Sequence, residues 1–206
     1  MKIFSAAKPI IYLITSGKAT TENFAKSSAQ ILRLIEIASA SSVSLIQIRE
    51  KQLPARLVFE LAQKASRITR KTRTKLLVND RADIALTAAA DGVHLTANSI
   101  PVKIVRQIFP ANFIIGVSAH TLEEAEKAMR EEADFVTFSP IFETPSKAAS
   151  GASQGVEKLR EVCEKLAPFP IIALGGVDET NCASVLEAGA SGFAAIRFLN
   201  KTENCR

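Results

Sequence analysis

Side chains with chemistry to offer gather just past short apolar runs. Gln47, Arg49, Glu50 and Lys51 close the run Val43–Ile48 and extend beyond it. Alternation along a strand sends Gln47, Arg49 and Lys51 to one side. Two cations and an amide converging there make a site for an oxyanion such as pyrophosphate. The plainer reading is a surface pair of Arg49 or Lys51 with Glu50. Asn79 and Asp80 follow Lys75–Val78. Asp80 can hold Mg²⁺, which takes one or two carboxylates beside phosphate oxygens, or it can cap a helix. His94, between Val93 and Leu95, is either a satisfied core histidine or a ligand contact. Ser118 and His120 follow Phe113–Val117. His120 stands near a helix start, as an acid or base or as a polar loop residue. Thr144, Ser146 and Lys147 lie in the segment 139–153, SPIFETPSKAASGAS. Gly175-Gly176 follows Ile171–Leu174. Paired glycines let backbone N–H groups approach a ligand closely or simply make a tight turn. Arg197 follows Gly192–Ile196.

These positions need elements to hold them. With Ile10–Ile14, Gly92–Leu95 and Phe135–Phe138, the apolar runs number eight. They are rich in Ile, Val and Leu and mostly lack polar alternation, as in strands buried on both faces of a parallel sheet. Helical periodicity predicts helices over 24–38, 54–69, 83–89, 101–108, 154–166 and 179–188. Thr121 with Glu124 predicts a capping box at the start of a further helix. Pro54 suits a first helical turn. Eightfold strand–helix alternation gives an α/β fold, and repetition of one short unit favours a closed (β/α)₈ barrel over an open sheet. Few residues follow Ile196, so the final helix is expected to be short or missing. The chain has 206 residues, near the lower size limit for such a barrel, ~200 residues, so one domain over 1–206 is expected. In these barrels the strands' carboxyl ends carry the chemistry, and the loops after strands seven and eight often bind phosphate. A loop as long as 139–153 suits a functional lid.

The totals narrow the partners. Net charge is +5 with 6% aromatic residues and no Trp. No run of five cations appears, and stacking platforms for single strands are scarce, so nucleic acid is not the expected partner. Small anionic molecules explain the excess charge. Cys163, Cys182 and Cys205 are odd in number and lack CxxC spacing, against a disulfide framework or zinc site; a reducing cytoplasm suits them. No signal peptide or membrane span is expected. A homodimer is compatible with these totals.

The ordered set of segments resembles the family of thiamine-phosphate synthases and related thiazole tautomerases. It is carried by IQIREK at 46–51, LLVNDRADIAL at 76–86, ADGVHL at 90–95, IGVSAHTLEEA at 115–125, ADFVTFSPIFETPSK at 133–147 and ALGGV at 173–177. The resemblance runs from Ile11 to Ile196. It implies a transferase joining two phosphorylated halves. The thiazole nitrogen of hydroxyethylthiazole phosphate attacks the methylene of hydroxymethylpyrimidine pyrophosphate, and pyrophosphate leaves. It further implies that Gln47, Arg49 and Lys51 hold the pyrophosphate, with Asn79 beside Asp80 and Asp80 on Mg²⁺. Ser118, Thr144 and Lys147 match further motif positions, and Gly175-Gly176 stands beside the thiazole phosphate.

Two departures stand out. The family usually reads GVHLGQ-x-D after strand four, its last Asp being a second metal carboxylate. Here Ser99 takes that place, and Thr96 replaces a glycine. The family also usually has a serine where Arg197 stands. Two other readings therefore stay open. One is a thiazole tautomerase using His120 as acid or base. The other is a non-catalytic binder of phosphorylated thiazole or thiamine phosphate.

Overall fold

The computed structural model describes residues 8–143 and 153–205. Its strands are β1 Ile10–Ile14, β2 Leu45–Ile48, β3 Lys75–Asn79, β4 Gly92–Leu95, β5 Ile114–Ala119, β6 Phe135–Phe138, β7 Ile171–Leu174 and β8 Gly192–Ala195. The helices between them are α1 Phe24–Ser39, α2 Ala55–Thr69, α3 Ala82–Thr87, α4 Val102–Ile108, α5 Leu122–Arg130, α6 Gly155–Leu166 and α7 Cys182–Glu187. The strands form a closed barrel in chain order, and the recorded registers are parallel. The expected (β/α)₈ barrel is the fold. Its final helix is reduced to one 3₁₀ turn, Thr202–Cys205.

The chain gathers into two compact units, built mainly on Ile11–His94 and on Ile115–Ala195. In the first, Leu45, Ile46, Leu76, Leu77 and Val78 are fully buried. Burying each such side chain stabilises by roughly 1.5–3 kcal/mol. α1 contributes Ile31, Leu34, Ile35 and Ala38 from one face, and α2 contributes Leu57, Leu61 and Ala65. This is the i, i+3, i+4 stripe visible in the sequence. Pro54 is the N-cap of α2, with an extended ψ of 155°, one position before the first helical turn. In the second unit, the Thr121 hydroxyl caps α5 by accepting from Glu124 N at 3.2 Å. The reciprocal bond goes one residue earlier than in an ordinary capping box: Glu124 Oε2 accepts from His120 N at 2.6 Å.

One helix-to-strand turn is built three times. Ala89, Glu132 and Gly189 follow α3, α5 and α7 with φ of 54°, 67° and 94°. Each donates its N–H back three residues, to Leu86, Met129 and Leu186. The next residues, Ala90, Ala133 and Ala190, donate back five, to Ala85, Ala128 and Val185. Those bonds satisfy helix carbonyls that would otherwise lack partners. Asp91, Asp134 and Ser191 then donate to Leu76, Ile115 and Ile171, each at 2.8 Å. The Asp91 and Asp134 carboxylates in turn accept from Leu76 N and Ile115 N. Each turn thereby sets where the next strand enters the sheet.

Candidate active site

In the first unit the polar residues stand where β2, β3 and β4 end. Gln47 is 1% exposed, and its Nε2 has no hydrogen-bond partner among the described residues. A buried donor left unpaired costs about 1–3 kcal/mol, so this amide is poised for a ligand acceptor. β2 stops at Ile48, so strand alternation reaches Gln47 and not beyond. Arg49 is half-buried and Lys51 exposed. Arg49 N donates to Thr15 Oγ1 at 2.8 Å, which fixes the turn. The plainer reading, a pair with Glu50, does not hold. Glu50 is buried, and its carboxylate accepts from Gly17 N at 3.1 Å and Ala19 N at 2.9 Å. Neither Arg49 nor Lys51 forms an ion pair among the described residues. Lys51 lines a cleft of about 320 Å³ together with Asn79, Asp80 and Arg81, against Ile48, Leu53 and Val58.

Asp80 is not the N-cap of α3; that position is Arg81. Asp80 instead has φ 59°. Arg81 N donates across it to Asn79 O at 2.7 Å, which makes Asp80 the centre of a γ-turn of the strained, positive-φ kind. Two bonds hold it there. Asp80 N donates to His94 O at 2.9 Å, and Asn79 Nδ2 donates to Asp80 Oδ2 at 2.8 Å.

His94 is buried, with Nδ1 3.2 Å from the Tyr12 hydroxyl and the two rings 5.8 Å apart. Its pKa is lowered to about 4, chiefly by burial; Asp80 opposes that shift and Arg49 adds to it. The imidazole is therefore neutral near pH 7. Burial likewise pushes the Tyr12 phenol well above its usual range. His94 is thus a core histidine with a polar partner, lying within the fields of Arg49 and Asp80.

The Ser99 hydroxyl is committed locally. It accepts from Thr96 N at 2.7 Å and lies 3.2 Å from Thr96 Oγ1, closing the turn after β4. No group of three His, Cys, Asp or Glu residues suited to a metal occurs among the described residues. Asp80 is therefore the one carboxylate offered by the sequence-expected metal pair. Mg²⁺ accepts such a site when phosphate oxygens and water supply its remaining ligands. The residues fit a cation carried by pyrophosphate, not a cage built by protein alone.

In the second unit, Ser118 lies on β5 in register with Thr137 of β6. His120 Nδ1 is 2.7 Å from Ser139 O. Gly175 and Gly176 have φ of 100° and 70°. A Cβ on Gly175 would fall 2.8 Å from Pro140 Cα, and one on Gly176 would fall 2.7 Å from Phe142 Cβ. The glycines thus serve close packing. Their amides also have no hydrogen-bond partner among the described residues, which leaves those donors for a ligand. Arg197, past β8, is exposed. Thr144, Ser146 and Lys147 lie outside the described residues.

A family model for thiamine monophosphate synthase matches residues 11–199. The chain belongs to that family. A Methanocella arvoryzae thiamine-phosphate synthase is 41% identical over 167 residues, 81% of this chain and 78% of that protein. A Geobacter sulfurreducens protein provisionally named a thiamine-phosphate synthase is 41% identical over 186 residues, 90% of this chain and 84% of its own. The solved thiamine phosphate pyrophosphorylase from Pyrococcus furiosus superposes with a TM-score of 0.79 at 30% identity, covering 98% of this chain and 95% of that one. Within this thiamine monophosphate synthase fold, Tyr12, Thr15, Ser139 and Gln154 escaped the sequence reading. Tyr12 left one signal, as the chain's single tyrosine within an aliphatic run. Among the described residues no helix is long and apolar enough to cross a membrane.

Proposed function

We propose that the chain is a thiamine-phosphate synthase, coupling hydroxymethylpyrimidine pyrophosphate to hydroxyethylthiazole phosphate with loss of pyrophosphate. One observation carries the reading. Among the described residues Arg49 and Lys51 have no ion pair, just past the strand whose Gln47 Nε2 also lacks a hydrogen-bond partner, while Lys51, Asn79 and Asp80 share one cleft. Cations placed in advance stabilise negative charge as it develops on a leaving group. Gln47, Arg49, Lys51 and Asn79 bind the pyrophosphate. Asp80 would hold Mg²⁺, which when bound would offset charge on the departing oxygens. Gly175 and Gly176 offer amides to the thiazole phosphate; Arg197 is a substrate-binding cation on the strength of its position in sequence after β8. Ser118, Thr144 and Lys147 take part in substrate binding on the strength of their motif positions, and Ser146 on its place in the same loop. The aminopyrimidine ring can spread the positive charge left on its methylene, so no protein nucleophile is required. Neutral His94 acts through Tyr12 and the Asp80 backbone. The three free cysteines suit a cytoplasmic enzyme.

The decisive assay supplies purified protein with both substrates and Mg²⁺. Thiamine phosphate and pyrophosphate should form in equal amounts. No product above background at saturating substrates would sink the reading. The tautomerase alternative draws on one observation, a serine at 99, engaged in its own turn, where the resemblance expects the second metal carboxylate. Rapid metal-independent isomerisation of the thiazole carboxylate phosphate, without coupling, would establish it instead.

A further inference from the structure

Hydrogen bonds converge on His120 that the proposed chemistry does not use. Its Nδ1 lies 2.7 Å from Ser139 O. A carbonyl only accepts, so Nδ1 carries the proton. The His120 carbonyl accepts from Gln154 Nε2 at 2.9 Å. Its own N–H is held by Glu124 in the first turn of α5. Ser139 and Gln154 belong to the two described flanks of residues 144–152. Those flanks are also tied to each other: Gln154 N donates to Pro140 O at 2.7 Å, and Gly155 N to Ile141 O at 3.1 Å. From the incoming flank, Ile141 N donates to Leu174 O at 3.0 Å and Phe142 N to Gly175 O at 2.9 Å. Pro140 and Phe142 are the very residues that leave no room for a Cβ on Gly175 and Gly176. An unbroken series of contacts runs from the imidazole through Ser139–Phe142 to the glycine pair.

We infer that His120 is a positioning residue, whose ring N–H and carbonyl clasp the Ser139 and Gln154 flanks and thereby set where the Gly175 and Gly176 amides meet a phosphate monoester. The identity of that monoester rests on the synthase reading; the clasp does not. The imidazole transfers no proton in the coupling. Its Nδ1–H is engaged by a backbone carbonyl, and the role inferred for the residue is geometric.

The test compares His120→Ala, His120→Asn and Gln154→Ala. An asparagine amide places a donor close to where Nδ1 stands, but it cannot exchange a proton near neutral pH. Both alanine variants should raise KM for the thiazole phosphate by about tenfold. KM for the pyrimidine pyrophosphate and the pH profile of kcat should not move. His120→Asn should return KM to within about twofold of the wild type. Amide exchange reads the clasp without turnover: Ile141, Phe142 and Gly155 should exchange faster in His120→Ala and Gln154→Ala, but not in His120→Asn. If His120→Asn is as impaired as His120→Ala and loses a limb of the pH profile, His120 is an acid–base group and the inference falls. Unchanged exchange at Ile141 and Phe142 in Gln154→Ala overturns it as well, even if His120→Ala does not fold. Exchange as expected in a wild type that makes no thiamine phosphate would remove the function reading alone.

Discussion

Asp80 unites two facts about single residues. It is the carboxylate proposed for the cation, and it sits at a backbone φ of 59° that a side chain makes costly. Strain of this kind persists where the surroundings impose it, here through the bonds to His94 O and Asn79. Asp80→Gly should therefore relieve about 1 kcal/mol and raise Tm by roughly 2–4 °C. The same change should remove most coupling activity. Asp80→Asn, which tolerates the left-handed region, should lose activity with little change in Tm. A stable, fully active Asp80→Gly would refute the cation role. His94 gives a pH signature. Its folded pKa of about 4 lies below the ordinary 6.5, so between those values the unfolded chain binds the extra proton. The stability this histidine provides is complete above pH 6.5. It falls by on the order of 3 kcal/mol as pH drops towards 4. Urea unfolding without Mg²⁺ at pH 7.5 and 4.5 should show a smaller loss in His94→Gln than in the wild type. Equal losses would show that His94 titrates normally.

At the scale of elements, much was legible because burial leaves a periodic trace. All eight strands stand within two residues of their apolar runs, and the helices follow their i, i+3, i+4 stripes. Side-chain partners beyond the strand ends left no such trace. The Glu50 carboxylate turns inward to Gly17 and Ala19, although Arg49 and Lys51 are its sequence neighbours. Ser99 closes its own turn. The first outcome depends on how separate loops fold back, which local spacing does not encode; the second is a local contact between residues three apart. Gly175-Gly176 was legible as glycine, but its packing partners Pro140 and Phe142 lie more than thirty positions away. This element yields a controlled comparison. Gly176→Ala should cost about 1–3 kcal/mol, from both positive φ and overpacking, and should raise KM for the thiazole phosphate. Gly155 also has positive φ, 76°, but a Cβ there meets nothing within 4 Å. Gly155→Ala should therefore cost only about 1 kcal/mol. Chemical denaturation of the two variants decides it; equal losses would assign the whole cost to backbone conformation.

For the molecule as a whole, closure of eight parallel strands leaves no sheet edge unpaired. The expectation of one domain over 1–206 then takes a measurable form. Heating or urea should give a single transition, coincident by near-UV and far-UV dichroism. Two resolved transitions would instead divide the chain along its two compact units.

The turn built three times, after α3, α5 and α7, makes the chain its own design manual. It is an interchangeable part, cast once with glycine at residue 189 and twice, at Ala89 and Glu132, with residues that fit the mould poorly. Copying the better casting into the other two sites, as Ala89→Gly and Glu132→Gly, should add about 0.5–1 kcal/mol each. The gains should sum in the double variant, because the turns share no partners. Such a reserve, drawn from the chain's own repetition, would offset substitutions at the strand ends that redirect the chemistry at a cost in stability.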